Sequence, residues 1–375
     1  MKLDRILQLL DQSPVIAEIH PVSLCYLPQD VTVSTSLAET VWLLDDMPTT
    51  LPGRILVTSP NLQYAGRFPQ IRCDHNPFTE SLNSVLFSRF DEIASHMLCQ
   101  SILAARILGE ARACETIVLF LIDGLSYRDI AGATTVFSQT TTIEPCLVDG
   151  PTTTRLAFSH LIGSPSLATR LFEIGYHRRL GFTYWTRDDN SLTDRLFHSI
   201  PDVRRTVQFS EVLTALRRLL DQIGQQNSKT YVQILRTGLD GYAHGQKRKV
   251  PISAVVAEIC REYEQLIEVC AEHCRETERR ARLYMTSDHG ILWRDEFEPE
   301  VVGEAPPTSN ARYCTWKELY HQRDHGRRFM VCDEDYYCLD IPKTRRQLHL
   351  DEQGVHGGIS FQESIVPVVT TRIEN

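Results

Sequence analysis

The sequence predicts a doubly wound α/β fold: a mostly parallel sheet with helices on both faces. Three observations lead there. Apolar runs of strand length alternate with segments of helical spacing through most of the chain. The run TIVLFLI at 116–122 is unbroken, as in a strand covered on both sides. Polar residues able to bind or react follow directly on successive apolar runs, where open parallel sheets collect their ligands.

A chain of 375 residues can form one large domain with insertions or two lobes. Apolar residues make up 42% and charged residues 23%, which is ordinary for a globular protein. The net charge of −9 speaks against a general binder of duplex nucleic acid, because phosphate binding normally shows as a basic surface. A small phosphorylated substrate stays open, since metal ions can meet its charge locally. The 11 cysteines are odd in number and include no CxxC pair, which argues against a disulfide framework and for a reducing compartment. The opening MKLDRILQLLDQSPV places acidic residues inside its apolar pattern, unlike a signal peptide. No run approaches the roughly 20 apolar residues that span a bilayer. The expectation is a cytoplasmic protein with no membrane association.

Leu3, Ile6, Leu7, Leu9 and Leu10 suit a short amphipathic helix, and Val15–Ile19, Val31–Val33 and Arg54–Thr58 read as strands. Residues 60–77 read as loop, and Glu92–Arg112 has helical spacing. Residues 1–112 are therefore expected to form an N-terminal α/β region of unknown role. Residues 113–375 carry the chemistry, with insertions near 165–230 and 294–350.

TIVLFLI ends at Asp123-Gly124, which puts a carboxylate at a strand terminus. PTTTRLAFSHLIG follows at 151–163, with three threonines before a helical face of Leu156, Ala157, Phe158, Leu161 and Ile162. A hydroxyl there can cap the helix or act as a nucleophile whose alkoxide the helix N-terminus favours. Residues 209–222 form an amphipathic helix. Thr230–Leu235 reads as a buried strand running into RTGLDGYAH. Asp240 and His244 are four apart, on one face of a helical turn, where both can reach one metal or Asp240 can simply cap a helix.

Ile252–Arg282 reads as a long helix whose Cys260, Cys270, His273 and Cys274 belong to packing and surface rather than to a metal set. In LYMTSDHGI at 283–291, Asp288 and His289 are neighbours that would diverge on a strand. Where Gly290 turns the chain they can converge, as ligands of a divalent metal would. Residues 295–347 look like a polar, aromatic-bearing insertion with a hairpin around Phe329–Ile341. His356 precedes two glycines, and Ile365–Val369 is a final strand.

The segments IDG at 122–124, DGYAH at 240–244, SDHG at 287–290 and HGG at 356–358 together resemble the alkaline phosphatase superfamily. PTTTRLAFSHLIG, and HGGISFQESIVP with its downstream Glu363, look most like the PglZ branch of it. Asn310–Tyr313 (NARY) resembles the Arg-Tyr segment that precedes the last His-Gly-Gly in that branch. The likeness covers roughly residues 115–370 and does not reach the first hundred.

What the resemblance implies is a site for two divalent metals. One would be held by Asp240, His244 and His356, the other by Asp123, Asp288, His289 and a nucleophilic threonine. Counting from Pro151 makes that threonine Thr154; counting back from Gly163 makes it Thr153. The ligand types suit Zn²⁺, with Mn²⁺ as the alternative.

The implied activity is a phosphodiesterase or phosphatase acting on a small phosphorylated or nucleotide-like compound. The alternatives are a component of a phage-defence assembly acting mainly through protein contacts, and a phosphotransferase or mutase. Two departures narrow the reading. The Cys/Ser-x-Pro-x-Arg segment of sulfatases is missing, and Arg155 stands where nucleotide pyrophosphatases have Phe after the threonine. Arg155, His177, Arg178 and Arg179 are candidate contacts for substrate phosphate.

Overall fold

The computed structural model describes residues 3–19, 23, 27–28, 30–34, 54–58, 68–73, 83–131, 137, 140–184, 190–206, 208–224, 228–245, 251–306, 308–316, 326–331 and 333–374. They fall into two compact units, Met1–Met97 and Leu98–Asn375. In the smaller unit, β1 (Val15–Glu18), β2 (Val31–Ser34), β3 (Arg54–Thr58) and β4 (Gln70–Arg72) form a parallel sheet of order β2-β3-β1-β4. The helix Leu3–Leu10 buries Leu3, Ile6 and Leu10 in the same core as Val15, Ala17, Leu56 and Ile71. Strand β4 lies inside the stretch expected to be loop, most of which falls outside the described residues.

The boundary lies at Met97/Leu98 rather than near residue 112. The segment 92–112 is not one helix: it breaks at Met97–Cys99, and a second helix, Gln100–Glu110, belongs to the larger unit. Leu103, Ala104 and Ile107 of that helix sit in the larger unit's core, which is why the break falls where it does.

The larger unit is built on β5 (Leu98–Cys99), β6 (Thr116–Asp123), β7 (Thr141–Leu147), β8 (Arg178–Thr183), β9 (Asp202–Arg205), β10 (Thr230–Thr237) and β11 (Ala281–Ser287). An insertion follows, carrying β12 (Leu292–Trp293), β13 (Glu300–Val301), β14 (Tyr313–Thr315), β15 (Gly326–Val331), β16 (Glu334–Leu339), β17 (Lys343–Thr344) and β18 (Gly354–Val355). The chain closes on β19 (Ile365–Ile373). The eight-stranded sheet has the order β5-β7-β19-β11-β6-β10-β8-β9, and β19 alone runs against its neighbours.

Strand β6 explains the architecture. Every one of its residues is buried. Val118, Phe120 and Ile122 face a core shared with the helices Phe209–Gly224 and Ile252–Thr277. Ile117, Leu119 and Leu121 face the opposite core, with the helices Gln100–Glu110 and Thr154–Ile162. Strand side chains alternate between faces, so an unbroken apolar run requires cover on both.

Residues 165–230 are not an insertion: they supply β8 and β9, the outer strands of the sheet. Residues 294–350 do stand outside the main sheet and form the small sheets β13-β17 and β14-β16-β15. Cys260, Cys270 and Cys274 line the helix's packing face, as their spacing suggests, and His273 is buried beside them. No helix among the described residues is long and apolar enough to cross a membrane.

Candidate active site

Each candidate side chain arrives from the end of a strand or the turn that follows it. β6 ends on Asp123. β10 runs into a single helical turn, Asp240–Ala243, whose C-cap is His244. β11 ends at Ser287, directly before Asp288 and His289, and His356 follows β18. Thr154 is the first residue of the helix Thr154–Ile162.

These side chains gather into two adjoining groups. Ligand-type atoms of Asp240, His244 and His356 lie within 4.8 Å of one another, and so do those of Asp123, Asp288 and His289. In the first group the two Nε2 atoms are 3.0 Å apart, and each is 3.2 Å from Asp240 Oδ1. In the second, His289 Nε2 lies 3.3 Å from Asp288 Oδ2 and 3.2 Å from Thr154 Oγ1. The His289 and His356 rings stack with centroids 4.0 Å apart, so the groups share a wall.

Hydrogen bonding decides which imidazole nitrogens face inward. His356 Nδ1 donates to Thr152 O at 2.8 Å, and His289 Nδ1 donates to Gly290 O at 2.9 Å. A carbonyl can only accept, so each Nδ1 keeps its proton and the Nε2 of a neutral ring offers a lone pair.

Whether the donor set fits cations can be tested on its geometry. A tetrahedral ion with bonds of about 2.0–2.1 Å has ligand-to-ligand edges of about 3.3–3.4 Å, close to the spacing in the first group. Asp288 Oδ2 is buried with no hydrogen-bond donor, while Oδ1 accepts the Gly124 N–H at 3.0 Å. Three carboxylates among three imidazoles also leave excess negative charge in a largely buried place. The residues fit divalent metals.

The carboxylates and imidazoles strongly perturb one another. Burial, helped by the Asp240 carboxylate, pushes Asp288 up to about 7 against the Gly124 N–H. Burial, then the nearby His356, holds the His289 imidazole down at about 3. For Asp240, burial opposes ionisation, but hydrogen bonds from His244 and His356 win and keep it well below the usual carboxylate range. Burial works against protonation of His356, yet its hydrogen bond to Asp240 raises it to about 9.

The three threonines have three different environments. Thr154 Oγ1 faces His289, whereas Thr153 is the N-cap residue and makes no side-chain cap bond. Thr152 is fully buried: its hydroxyl accepts the Gly357 N–H at 2.8 Å and donates to Gly358 O at 2.9 Å. Thr152 therefore ties the segment before Thr154 to the loop that carries His356. Thr152→Val, which keeps the volume but leaves both backbone groups buried and unmatched, is expected to destabilise the protein by about 3 kcal/mol. Thr152→Ser should recover most of that loss in a urea titration.

Sequence reasoning missed Gln100 as well, whose Nε2 donates to the carbonyls of Ser287 and Asp288 at 2.8 and 2.7 Å. Helical periodicity gave no hint that a polar residue at the start of that helix would reach under the site.

Not every proposed phosphate contact lies here. His177, Arg178 and Arg179 sit at the start of β8, whose Arg178 is level with Thr230 and, through it, Thr116. At about 3.3 Å per residue that is roughly 23 Å from Asp123 along the sheet. The Arg179 guanidinium stacks on Phe172 instead.

Residues 186–371 match the family model described as the BREX system PglZ alkaline phosphatase-like domain. The resemblance carried by the motifs holds over that stretch, which includes Asp240, His244, Asp288, His289 and His356 and begins after Asp123 and Thr154. Among curated proteins none matches.

Several solved structures are similar to the chain. Murine ectonucleotide pyrophosphatase/phosphodiesterase 5 in an inactive form with AMP is 10% identical, covering 68% of this chain and 87% of its own, with a TM-score of 0.43. Phosphonoacetate hydrolase from Sinorhizobium meliloti 1021 with phosphonoformate is 13% identical, covering 68% and 90%, with a TM-score of 0.43. The C-terminal periplasmic domain of phosphoethanolamine transferase EptC from Campylobacter jejuni is 9% identical, covering 69% and 79%, with a TM-score of 0.40.

Proposed function

We propose that this PglZ-like chain is a phosphoric ester hydrolase that uses Thr154 as nucleophile beside two divalent cations. The observation that carries the reading is the convergence of Thr154 Oγ1 on His289 Nε2, at 3.2 Å, next to two complete groups of metal-type ligands. Asp240, His244 and His356 would hold one ion; Asp123, Asp288, His289 and Thr154 the other. Ions there, best matched by Zn²⁺ or else Mn²⁺, would supply the positive charge that acidifies the threonine hydroxyl and accepts charge on the leaving oxygen.

The chain's own residues orient the reaction. Thr154 sits in the first turn of a nine-residue helix, whose dipole favours negative charge on its oxygen. Thr154 Oγ attacks phosphorus, the bond from phosphorus to the leaving oxygen breaks, and the hydroxyl proton passes to solvent. Water then cleaves the phosphothreonine, releasing phosphate or a phosphomonoester and restoring the hydroxyl. Arg155, next to Thr154 and exposed, is the candidate side chain for meeting a phosphoryl oxygen.

A cytoplasmic setting, and contacts within a phage-defence assembly of the kind the motif resemblance implies, belong to the same proposal. A role through protein contacts alone is disfavoured by two groups of metal-type ligands, all but His244 buried, which a scaffold does not need. Hydrolysis of mono- and bis-nitrophenyl phosphate by metal-loaded and chelator-treated protein tests the proposal. Equal, background-level rates for both preparations would end it.

The proton affinities add a pH signature. A His356 raised to about 9 contributes stability that is fully present below the unfolded value near 6.5. That contribution is lost as pH rises through 9. An Asp288 raised to about 7 costs stability in the same direction, over the range from its unfolded value up to about 7. Metal ligands must shed these protons, so metal affinity rises with pH while the stability of the metal-free protein falls. The gap in melting temperature between loaded and metal-free protein is expected to widen from pH 6 to pH 9 in differential scanning calorimetry.

A further inference from the structure

The loop that carries His356 rests on a charged pair to which the chemistry above gives no role. Arg312 precedes β14 and Glu363 lies in the single turn Phe361–Ser364; both side chains are fully buried. The pairing is bidentate, with Arg312 Nε 3.2 Å from Glu363 Oε1 and Nη2 2.8 Å from Oε2. The remaining nitrogen, Nη1, donates to the carbonyls of Asp340, at 2.9 Å, and of Lys343. Glu363 in turn accepts the Gly358 N–H at 3.0 Å and the Ser360 hydroxyl at 2.6 Å.

Gly358 lies flat on the guanidinium: a Cβ there would come within 2.6–2.7 Å of Arg312 atoms. Two residues past His356, therefore, the backbone is bonded to Glu363 and pressed against Arg312. On its other side the same loop is bonded to Thr152.

A buried ion pair is a poor source of stability, since apolar residues of similar volume often hold a fold as well or better. What apolar residues cannot provide is directional bonding that fixes a backbone position closely. Ligating histidines depend on such outer contacts, whose loss typically weakens metal binding about 10–100-fold. We infer that Arg312 and Glu363 form a positioning unit that sets His356 against Asp240 and His244, so that this ligand group binds its cation poorly without the pair although the protein still folds. The inference rests on the metal-site reading above.

The test isolates one ligand group by working in an Asp288→Asn background, where Asp240, His244 and His356 remain intact. Zinc bound per chain is measured after dialysis against graded free Zn²⁺, alongside the melting temperature without metal. The double variant Arg312→Met/Glu363→Leu, which leaves the Gly358 N–H and the Ser360 hydroxyl without their acceptor, is expected to melt below the parent yet stay folded at the assay temperature, and to bind zinc about 10–100-fold more weakly.

Unchanged zinc affinity in that variant would show that the pair only fills space and would overturn the inference. Should the double variant fail to fold, Glu363→Gln preserves the shape and carries the test: about a tenfold loss supports positioning, and no loss refutes it. Failure of the parent itself to bind zinc would refute the metal-site reading first, an outcome plainly different from a parent and variants that bind alike.

Discussion

Replacing Thr154 by alanine is expected to lower phosphoester hydrolysis roughly 10⁴-fold or more, the scale on which loss of a catalytic nucleophile is felt. The fold should survive: Thr154 is only half-buried, and its hydroxyl approaches His289 at 3.2 Å rather than bracing a second segment of backbone. Thr154→Ser keeps a hydroxyl at the same helix start and should retain a rate within about tenfold of the parent. Thr153→Ala removes a side chain that makes no cap bond and should change the rate little. Acid quenching during turnover, followed by mass spectrometry of the peptide carrying residues 151–163, should find phosphate on Thr154 in the parent and none in Thr154→Ala. Full activity in Thr154→Ala would remove the covalent step.

Gly290→Ala should have the largest effect on stability of any single methyl addition near the site. A Cβ at that position would lie 1.9 Å from the carbonyl oxygen of Gln362 and 2.7 Å from the Ser126 Cβ. The backbone has little freedom to withdraw, because the Gly290 N–H is bonded to Glu363 O at 2.9 Å and its carbonyl receives His289 Nδ1. Relief requires moving either the segment that carries His289 or the turn that carries Glu363. The expected cost is about 3 kcal/mol or more, beyond the usual penalty of overpacking. That corresponds to roughly 5–10 °C in melting temperature, measured on metal-free protein. Zinc binding by the Asp123, Asp288 and His289 group should fall in parallel. A variant that melted with the parent and bound metal normally would mean that the contact at residue 290 is looser than the geometry states.

The sheet was legible where one chemical pattern sufficed. The apolar run at 116–122 announced a strand covered on both faces, and β6 is that strand. β10 and β11 followed from the same logic, and helical spacing announced the long helix, which was expected to reach Arg282 but ends at Thr277, ahead of β11 starting at Ala281. Strand β7 did not: Pro145 and the half-polar TTIE before it hide a strand in what looks like loop, and pairing with β19 is what extends it. β8 and β9 passed for an insertion because β9 is exposed at every residue, as an edge strand can be. The break at Met97–Cys99 could not be read from helical spacing, since it depends on β5 pairing with residues of β7 far along the chain.

By itself the sequence determined the kinds of group available and where on their strands they stand: a carboxylate at 123, carboxylate–imidazole pairs at 240 and 244 and at 288 and 289, and an imidazole at 356. Local chemistry is enough for that, because strand ends and turns are encoded by neighbouring residues. Only the tertiary structure decided which of them meet, which imidazole nitrogen faces inward, and that Thr152 braces a loop while Thr154 faces His289. Those outcomes depend on distances between segments far apart in the chain. Such distances are set by how helices and strands pack as whole bodies, and no short stretch of residues records them.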